Sequence, residues 1–169
     1  MPARAPAAAA PTPKRLLWFG NHGAPYARFG MLDLLEMRAA LEGIARETDV
    51  ELVVISDNRA KYEQAIRPLA IPSRYVPWSP SAVQRWMDLA DVVLVPNTLD
   101  PFSICKSANR TVLALMQGVP VVATPTPGLA AVLPYIAAGD PLEGLRRYLG
   151  GPAAGAAHAA GAAGAAGAA

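Results

Sequence analysis

Five short runs rich in Val, Ile and Leu, each followed by a stretch able to form a helix, leave this chain little choice of fold. The runs are RLLWFG (15–20), VELVVIS (50–56), SRYVPW (73–78), DVVLVP (91–96) and VPVVAT (119–124). Between the first two, MLDLLEMRAALEGIARET carries Leu34, Met37, Leu41 and Ile44 on one helical face, with Asp33, Glu36, Glu42, Arg46 and Glu47 outside it. Asn58 can cap a second helix at RAKYEQAI, and Ser79 or Ser81 a third at AVQRWMDLA. A fourth is expected to begin near Lys106, and PGLAAVLPYIAA and PLEGLRRYL to supply helices that pack back across the sheet. Strands that alternate with helices in one domain form a parallel sheet with right-handed crossovers. Nearly continuous apolar runs are what strands look like when helices cover both faces. The expected fold is therefore α/β: a single, doubly wound, Rossmann-like parallel sheet of five to six strands. In the order 3-2-1-4-5 the chain reverses between strands 1 and 4, and ligands bind beyond the carboxyl ends of the strands at that switch point.

Residues 14–150 make one such domain, close to the most common domain size of about 100–150 residues. Residues 1–13, mostly Ala and Pro, and 151–169, mostly Ala and Gly with His158, lack the large apolar surface that would offset the entropy of ordering, so disordered tails are expected there. The net charge is +2 and the cations are scattered, which provides no basic stripe for a nucleic acid. Cys105 is the only cysteine; that excludes an intrachain disulfide framework and multi-cysteine zinc spacings, and suits a reducing compartment. MPARAPAAAAPTPKR holds no signal-peptide core, and the expected location is cytoplasmic. Thr111 to Gly139 is uncharged and long enough to cross a bilayer. Gly118, Pro120, Pro125, Pro127, Gly128 and Pro134 cut it into pieces of strand or short-helix length, so no membrane span is expected, while peripheral association stays open.

The topology turns two loops into the candidate site, GNHGAPYARFG (20–30) and NTLDPFSICKS (97–107). In the first, Gly20, Gly23 and Gly30 let backbone N–H groups approach an anion, and Asn21, His22 and Arg28 add donors. It matches neither G-x-G-x-x-G nor G-x-x-x-x-G-K-[ST], and also reads as a plain glycine-rich connector. An NAD-dependent oxidoreductase would need that first fingerprint, and Asp57 is the only candidate for its acidic residue. After the second loop, Lys106, Ser107, Asn109 and Arg110 crowd the head of a segment that afterwards carries no charge. A lysine at a helix N-terminus opposes the dipole by about 0.3–1 kcal/mol unless an anion compensates. Arg110, one turn on, can flank the same phosphate-sized group together with Lys106 and Ser107. The plain alternatives are solvated cations or an Arg110–Asp100 pair. Cys105 reads as a reactive thiolate or, more simply, a packed thiol. Trp78 can stack on a ring or belong to the core, and Asp88 and Asp91 read as capping and solvated groups. Asp100 stands without a second carboxylate in these loops, so no metal and no other cofactor is expected.

"ADVVLVPNTLDPF", "NRTVLALMQGVPVVAT" and "WFGNHG", in this order of elements, resemble the C-terminal, donor-binding domain of GT-B-fold glycosyltransferases of the family 4 type. The resemblance spans Lys14 to Leu149. It implies one half of a GT-B fold that binds a nucleotide-diphosphate sugar as substrate. Gly20, Asn21, His22, Gly23, Lys106, Ser107 and Arg110 would face the diphosphate, and Trp78, Ser79 and Asp100 the base or sugar. Such enzymes often carry two glutamates before "GVPVVAT"; Cys105 and Leu113 occupy those positions here. The resemblance also implies an acceptor-binding domain that does not precede strand 1, so transfer is expected to need a separate acceptor-binding domain or chain. Catalytic residues stay unassigned. The other reading is a non-catalytic α/β binding or interaction module derived from the same fold.

Overall fold

The computed structural model describes residues 12–20, 29–101 and 103–150. Asn21, His22, Gly23, Arg28 and the two expected tails, apart from residues 12 and 13, lie outside the described residues. Six strands are present: β1 (Lys14–Phe19), β2 (Val50–Ser56), β3 (Ser73–Pro77), β4 (Val92–Val95), β5 (Val121–Ala123) and β6 (Ala137–Ala138). They form one sheet in the order β3-β2-β1-β4-β5-β6, and every pairing is parallel. The helices are α1 (Arg38–Glu47), α2 (Arg59–Ala65), α3 (Pro80–Met87), α4 (Asn109–Met116) and α5 (Pro141–Leu149).

The two faces follow from the period of two along each strand. Leu16 and Trp18 of β1 enter one core with Leu52 and Val54 of β2, covered by Leu41 and Ile44 of α1, Tyr62 of α2 and Leu145 of α5. Leu17 and Phe19 enter the other with Val53 and Ile55, covered by Val83 and Met87 of α3 and Ala114 of α4. Each large aliphatic side chain so buried contributes about 1.5–3 kcal/mol relative to exposure. Asn58 caps α2 by accepting the Lys61 N–H at 2.9 Å, and Ser79 caps α3 by accepting the Ala82 N–H at 3.0 Å. Asp91 ties the start of β1 to β4, accepting from Lys14 Nζ at 3.0 Å and the Arg15 N–H at 2.8 Å. It is a structural latch rather than a solvated group.

Three elements differ from the sequence-based expectation. The helix after β1 opens as a 3-10 segment, Gly30–Met37, and becomes α-helical only at Arg38. Gly30 has φ 81°, and its N–H is held by the Asp33 carboxylate at 3.0 Å. Residues 127–135 are likewise 3-10, with Pro134 inside; proline removes a donor and blocks α-helical continuation. The following Ala137–Ala138 leaves the expected helix and pairs with β5 as an edge strand. No helix among the described residues is long and apolar enough to cross a membrane.

The last helix lies tight on the sheet. A Cβ at Gly144 of α5 would sit 3.0 Å from Ala137 Cβ and 3.3 Å from both Val122 methyl groups. Gly144→Leu is expected to lose about 1–3 kcal/mol through overpacking, read as a lower urea midpoint at unchanged slope; an unchanged midpoint would contradict this packing.

Candidate functional site

The reversal of strand order at β1 sets the geometry. β1 stays in register with β2 from Lys14↔Val50 to Phe19↔Ile55, and the Gly20 N–H extends the ladder to the Ile55 carbonyl at 3.1 Å. Its register with β4 covers only Leu16↔Val92 and Leu17↔Val93. The ladder between β1 and β4 thus ends early, on the side where the loops after these two strands leave the sheet. That is the switch-point crevice of a doubly wound fold.

Asp33 sits at the base of this region, its side chain only 1% exposed. Its Oδ2 accepts from the Gly30 N–H at 3.0 Å and from Lys106 Nζ at 2.9 Å, and its Oδ1 lies 3.4 Å from Thr98 Oγ1. The Thr98 hydroxyl also bonds the Asp100 carboxylate. A hydroxyl has one proton, so the nearer Asp100 takes it and the contact with Asp33 is the weaker. The Lys106 ammonium stands 5.6 Å from the Phe29 ring centroid, within cation–π range.

Arg110, in the first turn of α4, reaches the end of β1. Its Nη1 donates to the Phe19 carbonyl at 3.2 Å, and its guanidinium stands 5.9 Å from the Trp18 ring centroid. A Cβ at Gly20 would fall 3.2 Å from the same Nη1, so glycine leaves room for the cation. Burial pushes the Arg110 pKa below the usual arginine value, with the negative charge of Asp33 opposing that shift. A guanidinium whose charge is disfavoured by desolvation is one that a nearby anion stabilises.

Gly20, Lys106 and Arg110 are therefore brought to one place, whereas Asn21, His22 and Gly23 lie outside the described residues. Ser107 is exposed just before α4. Lys106 is not in the first helical turn, as its sequence position suggested: Ser103–Cys105 forms a separate 3-10 turn, and α4 begins at Asn109 with Ala108 as its N-cap. Its charge is met by Asp33 instead of facing the helix dipole. Asp100 engages Thr98, and Arg110 turns to Phe19, so the expected alternative of an Arg110–Asp100 pair is not what forms. Trp78, 52% exposed and not in the core, and Ser79, occupied as a cap, stand at the end of β3, two strands from β1. Cys105 is exposed, its Sγ 3.4 Å from the Pro101 carbonyl, and is not a packed thiol. Leu113 is 38% exposed on α4. Asp88 closes α3 and accepts from Gln84 Nε2 at 3.0 Å. Among the described residues no group of three or more His, Cys, Asp or Glu could hold a metal ion.

Sequence reasoning passed over Asp33, placing it only outside the apolar face of the helix after the first strand. Two signals pointed inward: it follows Gly30 by three positions at a helix start, and it precedes the buried Met37 by four. Asn97, 5% exposed at the end of β4, was also missed; its N–H donates to Thr124 Oγ1 at 3.2 Å.

With this geometry in place, comparison with known proteins becomes informative. A family model described as glycosyl transferases group 1 matches residues 13–141. Among solved structures the fold is similar to AviGT4, a glycosyltransferase involved in avilamycin A biosynthesis, at 20% identity and a TM-score of 0.53, covering 82% of this chain and 42% of that one. It is also similar to an α,α-trehalose 6-phosphate synthase from Burkholderia multivorans, at 15% identity and a TM-score of 0.55, covering 86% of this chain and 37% of that one. The chain therefore spans less than half the length of either structure. In the comparison with curated proteins, none matches. The family match covers β1 to β6, the whole sheet that carries the Asp33, Lys106 and Arg110 cluster, and the chain belongs to the glycosyl transferases group 1 family.

Proposed function

We propose that this domain binds the diphosphate of a nucleotide-sugar donor in the crevice between the ends of β1 and β4. The observation that carries the reading is Arg110: a partly buried guanidinium at the switch point, bonded to a backbone carbonyl and pressed against Gly20. Its planar fork of five N–H groups suits bidentate recognition of phosphate oxygens. Lys106 has three N–H donors, one of which serves Asp33, so two remain for a ligand. As the bond between sugar and diphosphate breaks, negative charge grows on the departing phosphate. Cations held beside it from the outset stabilise that charge without reorganising. Trp78 offers an exposed ring face for the base. No metal or other cofactor enters this reading, and an acceptor-binding domain or chain would complete the cleft for transfer. The reaction would take place in the cytoplasm.

Titration calorimetry of the whole chain with UDP and GDP, alone and as sugar conjugates, tests the proposal. One of these ligands is expected to bind, and Arg110→Ala to weaken it about tenfold or more, since a hydrogen bond to a charged group is worth about 1.5–3 kcal/mol. Lys106→Ala is also expected to weaken binding, because it removes a cation and leaves the buried Asp33 carboxylate uncompensated beside the ligand. Gly128→Ala acts at one remove: the new Cβ would stand 2.2 Å from the Lys106 carbonyl oxygen, so the loop carrying Lys106 must shift and affinity fall. Absence of binding by every nucleotide would reject the donor site and favour an interaction module.

A further inference from the structure

We propose that Asp33 is an internal counter-ion of this crevice: it competes with an anionic ligand for Lys106 and so holds down the affinity of the site for anions. The inference rests on the donor-binding reading of the same crevice and adds the element that tempers its affinity. The carboxylate is fixed. It is 1% exposed, accepts the Gly30 N–H at 3.0 Å, and belongs to a 3-10 segment continuous with α1. Lys106 is the mobile partner, its side chain 23% exposed on a flexible stem.

Lys106 and Arg110 meet two carboxylates here, Asp33 directly and Asp100 through the Thr98 hydroxyl, so the four groups together carry no net charge. An anion bearing one charge gains attraction from Lys106 and Arg110 and loses part of it to repulsion from Asp33. A diphosphate touches both cations at once with separate phosphoryl groups, and meets both more attraction and more repulsion from Asp33 in proportion to its charge. The arrangement also has a structural benefit, since Asp33 spares Lys106 an uncompensated, partly desolvated charge. Asp33 is thus a positioning residue that acts through Lys106, rather than one that contacts the phosphate.

Binding of inorganic phosphate and of pyrophosphate to the whole chain, with and without Asp33→Asn, separates this role from a purely structural one. Asparagine keeps an acceptor for Gly30 and Lys106 and removes only the charge. Both probes are expected to bind roughly tenfold more tightly in the variant, as expected for one unit charge removed at close range in a partly screened site. The gain should be at least as large for pyrophosphate, which carries more negative charge, and should shrink in high salt. Unchanged or weaker binding in a variant that melts at the wild-type temperature would overturn the inference. If Asp33→Asn does not fold, the 15N resonance of the Lys106 side chain in the wild-type chain gives the second reading. It should move as pyrophosphate draws the ammonium from Asp33, and a resonance that stays put while pyrophosphate binds would overturn the inference. Tightening of the inorganic probes without any nucleotide binding would reject the donor reading and leave the counter-ion in place. Nucleotide binding with no effect of Asp33→Asn would do the reverse.

Discussion

The parallel pairing of β1 on both its edges is the constraint on which the rest of this domain depends. β1 has β2 on one side over its whole length and β4 on the other over a short stretch. Both of its faces are buried, with Leu16 and Trp18 entering one core and Leu17 and Phe19 the other. Because parallel strands need crossover segments, the chain must cover one face on the way to β2 and the other on the way to β5. The two loops that leave the sheet at β1 and β4 are therefore forced to start side by side, and the polar groups of the domain's interior gather there.

What those groups form is a balance of charge. Arg110 is carried in by α4, Asp33 by the segment after β1, and Lys106 by the loop after β4. The carboxylate makes the buried cations tolerable to the fold, and the cations leave donors over for a ligand. Desolvation, which lowers the tendency of Arg110 to stay charged, is a cost that the folded chain bears and that a bound anion would offset. Under the proposed binding, stability and affinity would be coupled at one cluster.

The frame of this fold was legible because its determinants are local. Apolar runs of strand length, a helical face at Leu34, Met37, Leu41 and Ile44, and caps at Asn58 and Ser79 need only their neighbours to be understood. The order of the first five strands followed from connection rules, whereas β6 arose from a segment read as helix. The site was read in part. Lys106, Arg110 and Gly20 were singled out by position, but Asp33 was missed because its partner lies 73 positions away and its burial is decided by that partner. Residues 127–138 were read as one helix because Ala and Leu favour helices, whereas Pro134 leaves 127–135 as a 3-10 helix and the open edge of β5 takes Ala137–Ala138 as a strand. Cys105 was taken for a packed thiol since cysteine is usually buried, yet its short 3-10 turn holds it at the surface.

The central claim is that an anionic ligand enters between the ends of β1 and β4, against Arg110 and beside the Asp33–Lys106 pair. Amide 15N NMR of the whole chain titrated with UDP locates the ligand directly. Shifts confined to Gly20, Asp33, Thr98 and Lys106 to Arg110 would be the expected outcome. Shifts centred instead on the pocket between β6 and α5, lined by Ala138, Asp140, Arg146 and Arg147, with the crevice residues unmoved, would contradict it.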